Sequence, residues 1–72
     1  MKDDKIVGWI RSKYEGLVAE LSERGRRRWA AVEAVSLGRG GIATVAKATG
    51  ISDRTIRNGI QELRGAVVQP EG

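Results

Sequence analysis

Cysteine, histidine and phenylalanine are absent from this 72-residue chain, and proline occurs once. Without a thiol or an imidazole there is no disulfide framework, no Cys/His zinc site, no Cys nucleophile and no His general base. No cofactor is expected. No apolar run approaches the roughly 20 residues needed to cross a bilayer, so no membrane partner is expected either. The opening Lys2-Asp3-Asp4-Lys5 leads into an amphipathic pattern, unlike a signal peptide. A chain this short holds one domain at most, and such a domain buries only about 60% of its unfolded surface. A catalytic domain with its own substrate cleft is therefore not expected. The composition points to a small soluble domain of a reducing, cytoplasmic compartment, able to bind something acidic.

What charge there is lies unevenly. The net value is +4. Residues 1–23 carry four basic and five acidic side chains, and the segment from 65 adds only Glu71. Between them, nine cations (Arg24, Arg26, Arg27, Arg28, Arg39, Lys47, Arg54, Arg57 and Arg64) face three anions (Glu33, Asp53 and Glu62), a surplus of +6. All but Lys47 are arginine, whose planar fork grips phosphate or a guanine edge with two hydrogen bonds. A basic cluster on a small domain is the electrostatic footprint of a nucleic-acid binder. A merely solvated charged face is the plainer alternative.

Apolar residues recur at helical steps throughout. Ile6, Trp9 or Ile10, Tyr14, Leu17 and Leu21 predict a first helix from about Asp3 to Leu21, with Asp3 and Asp4 at its electropositive start. Gly8 and Gly16 each weaken it by up to ~1 kcal/mol relative to Ala, and Trp9 and Tyr14 read as core or interface anchors. Ser22 is the expected N-cap of a second helix, whose apolar stripe is Trp29, Val32 and Val35 and whose stop is Gly38. A third helix spans Ile42 to Thr49, with Val45 and Ala46 inward, and Gly50 ends it. Ser52 then caps a fourth, running to Leu63 or Arg64 on an apolar face of Ile56, Ile60 and Leu63, with Gly65 closing it. No stretch alternates as a strand does. The expectation is an all-α, small four-helix domain containing a helix-turn-helix: an N-terminal amphipathic helix over 1–21, a DNA-binding helix-turn-helix domain over 22–64 and a flexible tail over 65–72.

The segment from Ile42 to Gln61 carries the most specific pattern. A helix-turn-helix needs a small residue where its helices cross, a turn residue tolerant of positive φ, an apolar plug at the corner and apolar residues returning to the core. Ala46, Gly50, Ile51, Ile56 and Ile60 meet those demands in order, and Gly59 suits close approach to a neighbouring helix. An ordinary helical hairpin would meet some of them. Residues near the start of a recognition helix are those that enter the major groove. Arg54, Arg57, Asn58 and Gln61 are therefore the expected contacts to base edges. Ser52 and Thr55 are expected at phosphates, as are Arg39 and Lys47 flanking the motif. Arg26 and Arg27, in a basic block that opposes its own helix dipole, join them. Asp53 is best explained by capping and dipole complementarity.

Leu21 to Gly65 (LSERGRRRWAAVEAVSLGRGGIATVAKATGISDRTIRNGIQELRG) resembles the N-terminal segment of the ISAzo-type insertion-sequence transposases. The resemblance runs through Glu23-Arg24, the arginine run, Trp29-Ala30-Ala31, Glu33-Ala34, Leu37-Gly38, Gly40-Gly41-Ile42, Ala46, Thr49-Gly50, Ser52, Thr55-Ile56, Gly59 and Glu62-Leu63. Asp53 stands where that pattern has a basic or small residue. The resemblance implies a mobile-element protein that recognises the terminal inverted repeats of its own element. It also implies a downstream ribonuclease-H-like domain whose Asp/Asp/Glu triad cuts and joins DNA. Nothing in this chain matches such a triad. It reads as the DNA-binding module of a longer DDE transposase, and not as an enzyme by itself.

Double-stranded DNA is thus the expected partner, alongside a downstream catalytic domain or a second copy of the chain. The protein is expected in the cytoplasm, nucleoid-associated. Two readings compete. One is a free-standing helix-turn-helix regulator, for which Trp9, Ile10 and Tyr14 would supply a homodimer surface. The other is a helical protein–protein interaction domain whose arginines meet an acidic protein.

Overall fold

The computed structural model describes residues 2–68. Helix α1 spans Lys2–Leu17, and a single 3-10 turn over Val18–Glu20 follows it. Helices α2, α3 and α4 span Glu23–Leu37, Gly41–Thr49 and Asp53–Val68. Among the described residues there is no strand, so the domain is all-α with four helices. No helix among them is long and apolar enough to cross a membrane.

Local sequence sets most of the breaks. The Ser22 Oγ accepts the Gly25 N–H at 3.0 Å and the Ser22 carbonyl accepts the Arg26 N–H at 2.8 Å, which starts α2 as expected. Gly38 and Gly50 stop α2 and α3 at φ +77° and +81°, a region that a side chain disfavours. Two boundaries differ from expectation. The first helix gives way after Leu17 to the 3-10 turn, closed by Leu21 N–H to Val18 carbonyl at 3.2 Å. The fourth runs through Gly65 to Val68, because Gly65 keeps a helical backbone and the space around it is open. Residues 69–72 of the expected tail, with Pro70 and Glu71, lie outside the described residues.

Helix α2 is the hub: α3 and α4 both pack on it, and α1 lies across α3. That position overturns two members of the stripe expected from the sequence, Val32 and Val35, while Trp29 packs against the core as expected. Ala30, Ala31 and Ala34 are buried, whereas Val32 and Val35 are 46% and 55% exposed. Two helices approach α2 from adjacent sides, and only alanine is small enough to let both come close. The valines turn outward. On α1 the buried face is Val7 and Ile10, with Ile6 at its edge, while Trp9 is 72% exposed and joins no core. Steps of three and four fitted either face, which differ by one residue of helical rotation. Tyr14 does serve as an anchor: its ring lies against Trp29, centroids 5.4 Å apart and tilted by 38°. Lys13 Nζ bridges to Glu33 Oε1 at 3.1 Å alongside.

Ile56 and Val45 are the largest fully enclosed side chains. Ile42, Ala46, Ile51 and Ile60 pack around them at the edge of the core. The tightest seam is backbone against backbone. A Cβ on Gly59 would lie 2.8 Å from the Arg27 carbonyl oxygen and 3.0 Å from the Ala31 Cβ. One on Gly41 would run into the Ala34 carbonyl.

Two Gly→Ala substitutions should therefore act with opposite sign in urea or thermal unfolding followed by circular dichroism. Gly59→Ala should destabilise by about 1–3 kcal/mol through overpacking, despite alanine's better helix propensity. Gly8→Ala, where nothing lies within 4 Å, should stabilise by about 0.5–1 kcal/mol.

Candidate nucleic-acid interface

Three residues, 50–52, separate α3 from α4 and fix how α4 is presented. A helix leaves its last four carbonyls without intrahelical partners. In α3 three of them, those of Ala46, Lys47 and Ala48, have found one. The Thr49 hydroxyl donates to the Val45 carbonyl at 2.8 Å, and the Gly50 N–H to Ala46 at 2.8 Å. Arg11 reaches over from α1, its Nε donating to the Ala48 carbonyl and its Nη2 to that of Lys47, each at 3.4 Å. Thr49 Oγ1 also accepts the Ile51 N–H at 3.1 Å, which ties the turn to the helix it leaves. Ile51 then plugs the corner against the core.

At the start of α4, Ser52 Oγ accepts the Thr55 N–H at 3.2 Å and donates to Thr55 Oγ1 at 2.9 Å. The Ser52 carbonyl accepts the Ile56 N–H at 3.0 Å. The hydroxyls expected at phosphates are thus engaged in the cap, with the Thr55 O–H left to donate outward. Asp53 occupies the first turn, where its carboxylate opposes the positive helix end.

With Ile56 and Gly59 buried, the opposite face of α4 is turned to solvent. Arg54, Arg57, Asn58 and Gln61 are all exposed there and, with Asp53, line one shallow depression. A second groove runs between α2 and α4, lined by Arg27, Thr55, Asn58, Gln61 and Glu62. The four expected base-contact residues therefore share one surface, and two of them also border Arg27 and Thr55. No hydrogen bond to another described residue engages the side chains of Arg54, Arg57, Asn58 or Gln61.

The remaining basic residues divide. Arg27 Nε donates to Glu62 Oε1 at 3.0 Å, joining α2 to α4 and leaving its other N–H groups toward the groove. Arg26 is half-buried, and its Nη2 donates to the Val18 carbonyl at 3.2 Å. It holds the 3-10 turn against α2, a structural task that the sequence reading did not foresee. Arg39, in the α2–α3 loop, and Lys47, on α3, are exposed but line neither groove.

Three residues at this site escaped the sequence reading. Arg64 borders Arg57 and Gln61 in a groove that reaches Ile42; its spacing of seven and three residues from those two carried the signal. Glu62 and Arg11 act across the fold, on helices far away in sequence, so no local pattern marks them. Of the homodimer surface expected on the first helix, Ile10 is 3% exposed and Tyr14 is stacked on Trp29, which withdraws both. Trp9 alone remains outward.

Thr49→Val, which keeps the shape and removes the hydroxyl, should destabilise the domain by about 0.5–1.5 kcal/mol. Amide hydrogen exchange should be accelerated at Ile51 in particular, because that N–H loses its acceptor. Comparison with protein-family models, with curated proteins and with solved structures finds no match to this chain.

Proposed function

We propose that this chain is a duplex-DNA-binding module that lays the exposed face of α4 in the major groove. The observation that carries the reading is that face itself. Arg54, Arg57, Asn58 and Gln61 stand together on a helix held from behind by Gly59 and Ile56, and no hydrogen bond or ion pair among the described residues employs their side chains. Arginine suits the O6/N7 edge of guanine and asparagine or glutamine the N6/N7 edge of adenine. Helices α3 and α4, joined by the three residues 50–52, support a helix-turn-helix reading, in which the second helix reads bases. Arg27, Thr55, Arg39 and Lys47 are the groups available to phosphates beside it, with Arg64 further along α4.

The resemblance of residues 21–65 to ISAzo-type transposases supports a finer reading. The module would recognise the terminal inverted repeats of an insertion sequence, while a separate DDE domain cuts and joins the DNA. Such a protein works in the cytoplasm on the nucleoid. The chain recognises DNA and catalyses nothing itself.

Selection of bound sequences from random duplexes, followed by binding titrations, tests this directly. Arg57→Ala should weaken binding to the selected site by about 1–3 kcal/mol and relax preference at one base pair. Uniform weakening on every sequence would move Arg57 to a phosphate. The logarithm of the affinity should fall against log salt with a slope near −0.9 for each phosphate neutralised. No binding to any duplex at low salt would overturn the reading in favour of a protein partner.

Glu62→Gln offers an independent check of the groove between α2 and α4. It should destabilise the fold by less than about 1 kcal/mol, as a partly exposed ion pair does. It should also tighten DNA binding, because Arg27 is released from its internal anion.

A further inference from the structure

The groove between α2 and α4 does not end at the start of α4. It continues into a recess of about 370 Å³ lined by Tyr14, Glu23, Arg26, Arg27, Ile51 and Thr55. Helix α1, the first turns of α2 and the corner before α4 bound it. Arg27 and Thr55 line both hollows. Asn58 and Gln61 in turn line both the groove and the depression over α4. One continuous surface therefore leads from the residues proposed at base edges to α1.

The recess collects donors that lack acceptors. Arg26 gives one N–H to the Val18 carbonyl, yet its Nε is buried and has no partner among the described residues. A guanidinium stripped of water and incompletely paired is costly, and such a group calls for an acceptor. Arg27 gives its Nε to Glu62, which leaves both terminal nitrogens for use. Thr55 Oγ1 accepts from Ser52, so its own O–H is left to donate. Tyr14 is held by its ring against Trp29, and no hydrogen bond among the described residues engages its hydroxyl. Glu23 is the one anion lining the recess, and it is exposed. Two guanidinium groups outweigh it. Clustered N–H and O–H donors with a net positive charge suit a phosphate oxyanion.

We propose that this recess is a phosphate subsite, in which Arg26, Arg27, Thr55 and the Tyr14 hydroxyl hold a phosphodiester of the strand bordering the groove that α4 reads. The proposal rests on the duplex-DNA reading of α4 and adds to it a contact from the first helix. A backbone phosphate is the occupant, and not a free anion, because the recess joins the α4 surface through Arg27 and Thr55. Phosphate contacts fix register and carry no sequence information. Tyr14 and Arg26 thus set where α4 sits, not which bases it selects.

Titrations against the selected duplex and against unrelated duplexes are the test, with circular dichroism melts on every variant. Tyr14→Phe keeps the ring on Trp29 and removes only the hydroxyl. It should leave the melting temperature unchanged and weaken binding to every duplex roughly three- to tenfold. Arg26→Gln should lower the melting temperature, because the Val18 contact is weakened, and also flatten the salt slope by about 0.9. A purely structural arginine would leave that slope unchanged. Glu23→Gln should tighten binding to all duplexes. Neutral methylphosphonates placed one at a time along the duplex should reveal one position that weakens the unsubstituted chain and has little further effect on Arg26→Gln. If Tyr14→Phe and Arg26→Gln keep the original affinity and slope while Arg57→Ala still loses base preference, the subsite is overturned and the α4 reading stands. No binding to any duplex overturns both. Inorganic phosphate filling the recess in a nuclear magnetic resonance titration, with DNA binding indifferent to both variants, reassigns it to a free anion and overturns the proposal as well.

Discussion

Everything in this domain depends on how closely α4 and α3 can approach α2. A chain with few aromatics and no phenylalanine cannot fill wide gaps between helices, so it removes the gaps. Ala30, Ala31 and Ala34 make α2 thin on its buried side, and Gly41 and Gly59 bring backbone to backbone there. Ile56 and Val45 then fill the small interior that remains. In so small a domain burial is limited, and contact at this range retrieves dispersion energy that larger, looser packing would lose.

The same approach explains why α4 is presented rigidly. Gly59 seats its middle on α2, and the Arg27–Glu62 pair ties it on one side. Its start is set by the turn, where Thr49 Oγ1 holds the Ile51 N–H and Ser52 Oγ the Thr55 N–H, while Arg11, from another helix, caps the last turn of α3. A surface that must match a regular array of base edges gains from being fixed before binding, because less freedom is lost on association. The first helix thus has a part in the proposed base-reading face without touching it: Arg11 steadies the end of α3, from which the turn departs.

How well the sequence could be read differs from feature to feature. The caps and stops at Ser22, Gly38, Gly50 and Ser52 were legible, because each acts on a backbone group within a few residues. So was the exposed set Arg54, Arg57, Asn58 and Gln61, since one helical period places all four opposite Ile56 and Ile60. The roles of Arg26 and Glu62 were not legible. Each is decided by a partner on another element, Val18 and Arg27, and a charge count cannot separate an arginine that holds a turn from one that faces solvent.

The sequence by itself therefore determined the number of helices, all four of their starts to within a residue, and the polar face of the last. Those follow from hydrogen bonds and periodicities that span at most a turn or two. Only the tertiary structure decided which face of α1 and of α2 is buried. Trp9, Val32 and Val35 are large and apolar and would each serve in a core taken alone. They lie outside because the neighbouring helices come too close for anything larger than alanine on α2, and because α3 takes Val7 and Ile10 in place of Trp9. Packing distance is a property of pairs of helices, and no single helix encodes it.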